Sequence, residues 1–260
     1  MTERVDVPSN RSMTWQGVGK SEIGLIRPTN QDRLAVLDAY QFWIVADGMG
    51  GHPAGDLAAS IAVETVAREA ARRLGQRGPC AQDRTLDLIE WFKIADRAIK
   101  DRSIAEPALT GMGTTIVALL ITPTPSPVAH VAHLGDSRAY LYRKGLLTQL
   151  TRDHTLVEQY LASGLIDATE AKTHPKRHVL IKALGMDDEP SPSSSSVALE
   201  PDDVLILCTD GLNKMLQDDE ISKVLSSTPG DPLKACHDLV KESLARGGDD
   251  NVTIVICTAS

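Results

Sequence analysis

Phe42-Trp43-Ile44-Val45-Ala46-Asp47-Gly48-Met49-Gly50-Gly51-His52 passes in one step from five apolar residues to a carboxylate and a glycine-rich turn. An apolar run that short reads as a buried strand, with Asp47 at its far end. One Asp-Gly pair is an ordinary turn signal. The same placement, however, recurs three times: Asp136 follows Val131 to Gly135, Asp210 follows Val204 to Thr209, and Asp250 precedes Val252 to Cys257. Carboxylates are costly to keep away from water without a counter-charge. Four of them at the mouths of buried strands therefore point to bound metal ions.

On the N-terminal side, Arg33 to Leu37 and Gln41 to Ala46 form two strands joined through Asp38-Ala39-Tyr40, and Trp15 to Arg27 is an irregular strand. On the C-terminal side, Ala59, Ala62, Val66, Ala70 and Leu74 recur at helical spacing, as do Leu88, Trp91, Ala95 and Ile99. Two amphipathic helices are predicted there, covering one face of a sheet. Thr114 to Thr122, Val128 to Leu134, Ala139 to Arg143 and Leu146 to Leu150 are short strands split by Pro-Ser or Lys-Gly turns, the rhythm of an antiparallel meander. Leu233 to Leu244 is the last helix, before a terminal strand. Strands and helices arrive in blocks, which gives the α+β class.

From His154 to Pro192 the rhythm breaks. Short helices are expected at Leu156 to Ala162 and Thr169 to Lys172, then a segment from His178 to Gly185, and the Ser/Pro run 190–196 reads as a polar surface connection. A long insertion beside a site more often gates or selects substrate than merely connects.

With 260 residues and 42% hydrophobic content, the chain can bury the core of a single domain, 1–260, preceded by a polar extension over 1–13. No stretch approaches the ~18 apolar residues of a membrane helix, and no signal peptide is evident, so a cytoplasmic location and no membrane are expected. Cys80, Cys208, Cys236 and Cys257 contain no C-x-x-C pair, which disfavours disulfides and zinc fingers. A net charge of -8 argues against nucleic acid as a partner.

The aspartate cluster has no His or Cys at ligand spacing, and hard oxygen donors select Mg²⁺ or Mn²⁺. If Asp47 bridges two ions about 3.5 to 4 Å apart, with Asp210 and Asp250 completing one and the Gly48 carbonyl the other, a water between them becomes hydroxide near neutral pH. Gly48, Gly50 and Gly51 suit that role, because a backbone carbonyl ligates only where no side chain blocks the turn; a flexible loop is the other reading. Arg27 has the forked, permanent charge that phosphate recognition needs. Taken alone it would be a solvated surface residue.

Six blocks change that weighting: Arg27-Pro28-Thr29-Asn30-Gln31-Asp32, Val45 to His52, Gly111-Met112-Gly113-Thr114-Thr115, Gly135 to Tyr140, Thr209-Asp210-Gly211-Leu212 and Gly248-Asp249-Asp250-Asn251. Their order resembles the PPM family, the metal-dependent protein phosphatases also called protein phosphatase 2C, from about residue 15 to the end of the chain. Met49 in the second block is similar to the bacterial branch. The resemblance implies a four-layer α/β/β/α sandwich, two stacked antiparallel sheets flanked by helices, with 154–192 as a flap-like insertion. It implies hydrolysis of phosphoserine and phosphothreonine with two Mn²⁺ or Mg²⁺ ions, Arg27 and Asp47 as catalytic residues, and Asp47, Gly48, Asp210 and Asp250 as ligands.

Asp136 matches the position of a weaker third metal in relatives, or simply closes a strand turn with Ser137. Asp32 and Asn251 are expected behind the ligands, Asp32 as an acceptor orienting metal-bound water. Phosphorylated proteins are the implied substrates, with a Ser/Thr kinase or its targets as counterpart. Met49 stands where many relatives carry a proton-donating His; a metal-bound water or His52 would have to substitute. Gln31 replaces a commoner Glu, and His178 and Lys182 stand where Asn and Arg are common.

Two rival motifs fail. Gly19-Lys20-Ser21 ends like a P-loop, but the required first glycine is Thr14 and no apolar strand precedes it. Gly135-Asp136-Ser137 begins like a serine-hydrolase elbow, but its fifth position is Ala139. A catalytically inactive relative, keeping the fold as a binding or regulatory module, is the remaining alternative; retention of Arg27, Asp47, Asp210 and Asp250 speaks against it.

Overall fold

The apolar runs form strands that are buried on both faces, which is why they show little alternation. In the computed structural model, which describes residues 13–49, 54–75, 84–123 and 126–260, ten strands make two five-stranded sheets. The first has the order β1 (Trp15–Glu22), β10 (Val252–Ala259), β9 (Val204–Cys208), β6 (Arg138–Arg143) and β7 (Leu146–Gln149). The second has the order β2 (Asp32–Leu37), β3 (Phe42–Asp47), β4 (Ile116–Thr122), β5 (Val128–Leu134) and β8 (Ser193–Ala198). Every pairing is antiparallel. Gly50, Gly51, His52, Cys80 and all but the end of the N-terminal extension lie outside the described residues.

Strand β3 shows how the layers assemble. Trp43 and Val45 point into a core shared with Trp15, Leu205, Leu207 and Val255 of the opposite sheet. Phe42, Ile44 and Ala46 point the other way, against α1 (Gly55–Leu74) and α2 (Thr85–Ala105). The outer face of the first sheet is covered by α6 (Asp218–Ser227) and α7 (Pro232–Ala245) through Ile221, Leu225, Cys236 and Leu239. A slip of one residue in β3 would exchange these two sets, so the register is strongly specified. The result is the expected α/β/β/α sandwich, with the short α5 (Asp210–Asn213) packed through Leu212 into the α6–α7 layer and α3 (Leu156–Ala162) and α4 (Ala168–Thr173) contributed by the insertion.

Four details depart from the sequence reading. The meander is broken between β5 and β6, which belong to different sheets. The chain crosses at Gly135, whose φ of 108° and whose approach to Thr115, 2.5 Å from where a Cβ would stand, exclude a side chain. The serine run is not a connection: Ser193–Ala198 is edge strand β8, paired to β5 from Val128↔Ala198 to His133↔Ser193. An edge strand needs only backbone hydrogen bonds, so its exposed serines resemble a loop in composition. The first strand stops at Glu22, five residues short of Arg27, and α6 carried no expectation at all. Gly19-Lys20-Ser21 lies inside β1, and the Ser137 hydroxyl is hydrogen-bonded to Thr115 Oγ1 at 2.6 Å.

Candidate functional site

Strands from both sheets end at one rim of the sandwich. Asp32 and Asp47 are register partners at the ends of β2 and β3, and Asp136 follows β5. From the other sheet come Asp210, two residues beyond β9, and Asp250, two residues before β10. The rim encloses a cleft of about 400 Å³ lined by Arg27, Asp47, Gly48, Asp136, Asp210 and Asp250. His178, Leu180 and Met186, from the insertion, line it as well. It shares several of these residues with a larger groove of about 1040 Å³ that runs on to α3 and α4.

Side-chain hydrogen bonds hold the rim together. Asn251 accepts from the Gln31 amide at 2.9 Å and donates to the carbonyls of Ile23 and Thr29 at 2.8 and 3.0 Å, which fixes the loop bearing Arg27. Thr209 donates to Asp32 Oδ2 at 2.9 Å, while Asp32 Oδ1 has no partner. The Gly48 amide donates to the Gln31 carbonyl, and the Asp47 amide to Thr115 Oγ1. His154 supports the turn before Asp136: its Nδ1 accepts from the Gly135 amide at 3.2 Å. Burial, then His133 and Lys182, lower its pKa to about 3, which keeps the ring a neutral acceptor.

The carboxylates repel one another. Burial first, then Asp32, Asp210, Asp136 and Asp250, pushes Asp47 well above its ordinary value. Burial pushes Asp136 up to about 8, reinforced by Asp210 and Asp153. Asp32 is pushed up to about 7 by burial, against the lowering effect of hydrogen bonds from Thr253 and Thr209. Asp250 goes the other way. Burial would raise it, but the hydrogen bond and charge of Lys214, together with Arg27, outweigh that and lower it.

Arg27 and Lys214 account for the difference. Arg27 forks the Asp250 carboxylate, Nε to Oδ1 at 2.9 Å and Nη2 to Oδ2 at 3.0 Å. Lys214 Nζ lies 2.6 Å from Asp210 Oδ2 and 2.8 Å from Asp250 Oδ2. Lys214 and His154 were missed from sequence. For Lys214 a signal existed, the i,i+4 Asp210–Lys214 spacing of a helical ion pair; for His154 there was none.

Among the described residues, no three His, Cys, Asp or Glu side chains are disposed as a ready-made metal cage. The donor set nonetheless fits hard divalent cations. It is all oxygen, Asp47 at its centre is raised by burial and by the carboxylates around it, and buried Oδ1 atoms of Asp32 and Asp210 are left without hydrogen bonds. Added positive charge would relieve each of these defects.

The family profile of protein phosphatase 2C matches residues 27–246. The serine/threonine phosphatase Stp of Listeria monocytogenes is 34% identical over 243 residues, covering 91% of this chain and 93% of the relative. The crystal structure of the Mycobacterium tuberculosis serine/threonine phosphatase PstP superposes with a TM-score of 0.82 at 31% identity, over 94% of this chain and 98% of that one. The catalytic domain of PstP in complex with 2 manganese ions gives 0.80 at 30% identity, over 95% and 99%. With the fold, the order of its blocks and this coverage in agreement, the chain belongs to the protein phosphatase 2C family, in the bacterial branch of these phosphoprotein phosphatases.

Proposed function

We propose that this enzyme hydrolyses phosphoserine and phosphothreonine in proteins by direct attack of water, without a phosphoenzyme. Two Mn²⁺ or Mg²⁺ ions would be held by Asp47, the Gly48 carbonyl, Asp210 and Asp250, with Asp136 kept for a weaker third. The observation that carries this reading is the convergence of five carboxylates from both sheets beside a guanidinium already gripping an oxyanion with two prongs. When bound, the ions supply the charge that brings the pKa of a water toward neutrality.

The remaining work falls to the chain. Arg27 trades the Asp250 carboxylate for the substrate phosphate, since both present paired oxygens to the same fork. Asp32, with one oxygen held by Thr209, would act behind the ligands as an acceptor that orients an attacking water. Asn251 keeps the Arg27 loop in register. Met49 lines the cleft but has no proton to give a leaving group. The insertion, through His178, Leu180 and Met186, is where the protein around the phosphate would be felt, and a Ser/Thr kinase or its target is the class of substrate we assign.

Release of inorganic phosphate from p-nitrophenyl phosphate and a phosphothreonine peptide tests this directly. Turnover should require Mn²⁺, stop in EDTA, and leave no phosphate on acid-quenched protein. Metal-independent turnover, or a trapped phosphoprotein, would overturn the assignment.

A stability experiment probes the cluster separately. Asp32 and Asp136 hold protons to about 7 and about 8 in the folded chain, against an ordinary value of 3.8. Between these limits the folded state binds more protons than the unfolded one. The stability those protons confer is complete below the ordinary value and lost as pH rises through the folded values. The melting temperature in EDTA should therefore fall between pH ~5 and pH ~9, and saturating Mn²⁺ should flatten the decline because ion binding displaces the protons. A level profile in EDTA would mean that neither burial nor the neighbouring carboxylates raise Asp32 and Asp136.

A further inference from the structure

Lys214 follows the four-residue helix α5, one turn after Asp210, and its ammonium bridges Asp210 Oδ2 and Asp250 Oδ2. Arg27 closes on Asp250 from the Nε and Nη2 side. The ion pairs among the described residues leave Asp32, Asp47 and Asp136 without any Lys or Arg. The cluster is thus two-sided: the Asp210–Asp250 half carries its own cation, and the Asp47 half has none. An ammonium joining two carboxylate oxygens takes the place a shared divalent ion would need, with one charge where the ion has two.

We propose that Lys214 is a built-in competitor for the ion shared by Asp210 and Asp250, so that this ion loads only when the ammonium swings out of the carboxylate pair. The inference rests on the metal-centre reading above. Two cations cannot occupy one carboxylate pair, since at contact distance their repulsion would cancel much of the attraction each has for the oxygens. The four-carbon stem gives the ammonium reach, and Lys214 lines both the 400 Å³ cleft and the 1040 Å³ groove, so there is room for it to leave. Asp136 and His178 feel its charge now and would feel the change. Occupancy at this position should then follow divalent-ion concentration over a range in which an uncontested centre would already be full.

Calorimetric Mn²⁺ titration of metal-stripped protein tests this without any activity measurement. Lys214→Met should bind the Asp210–Asp250 ion roughly tenfold or more tightly than wild type, because the competing charge is gone. Lys214→Arg, which keeps the charge, should stay at or below wild-type affinity. In EDTA the order reverses: Lys214→Met should melt below wild type, since Asp210 loses its paired cation and Asp250 is left with Arg27 alone. Lys214→Gln is a second neutral variant should the methionine fail to fold. Equal or weaker Mn²⁺ binding by a folded neutral variant would overturn the competitor role while leaving the metal centre intact. No Mn²⁺ uptake by wild type would remove the metal centre itself, and this inference with it.

Discussion

Asp47→Ala should lose ~10³-fold or more in kcat/KM, because on the proposed reading it removes the carboxylate that would serve both ions. The fold should survive. Asp47 closes a strand whose packing depends on Phe42 through Ala46, all fully buried, and its own side chain contributes repulsion to the metal-free protein. Asp47→Asn removes the charge while keeping the shape, and in EDTA it should melt at or above wild type. In millimolar Mn²⁺ the order should invert. An ion that binds only the folded state at one hundred times its Kd adds about 2.7 kcal/mol, and the variant forfeits most of that. Phosphate release together with melting curves in EDTA and in Mn²⁺ checks the two halves. Near-normal turnover of folded Asp47→Ala would place the chemistry elsewhere; a variant melting far below wild type in EDTA would mean that Asp47 supports the fold rather than burdening it.

The strands that build the site are legible because each is buried on both faces and has a carboxylate within two residues of one end, two signals that need no tertiary knowledge. Phe42 to Ala46, Val204 to Cys208 and Val252 to Cys257 are of this kind. What stayed hidden was whatever depends on which sheet a strand joins. Four consecutive short strands look alike from sequence, and only the strained turn at Gly135 parts β5 from β6. The serines of β8 were unreadable for a related cause, since an edge strand facing solvent imposes no hydrophobic period. Lys214 is not marked by the carboxylate pattern, because an i,i+4 Asp–Lys spacing is equally that of an ordinary solvated helical ion pair. Arg27 was assigned to phosphate from chemistry and block order. That it clasps Asp250 follows from where Asn251 anchors its loop, which no local pattern encodes.

Gly211→Ala should damage stability and catalysis together. Gly211 is the second residue of α5, and a Cβ there would lie 1.9 Å from the Asn251 carbonyl oxygen and 3.0 Å from its carbon. Both are backbone atoms at the entry to β10, and Asn251 is tied by its side chain to Ile23, Thr29 and Gln31, so the strand cannot yield. The helix must move instead, carrying Asp210 away from Asp250. Overpacking of this kind costs about 1–3 kcal/mol, and at roughly 2–4 °C per kcal/mol for a chain of this size the melting temperature should drop by about 2–12 °C. Because a misplacement near 1 Å is worth about 10²-fold in rate, turnover should fall by that order even where the protein is fully folded, and Mn²⁺ should bind more weakly. Gly230→Ala is the control. Its φ of 72° makes alanine strained there too, but nothing lies within 4 Å of the added carbon, so some stability should be lost while turnover and Mn²⁺ affinity stay. If Gly211→Ala behaved like Gly230→Ala, the distance between Asp210 and Asp250 would be set by something other than the contact of α5 with β10.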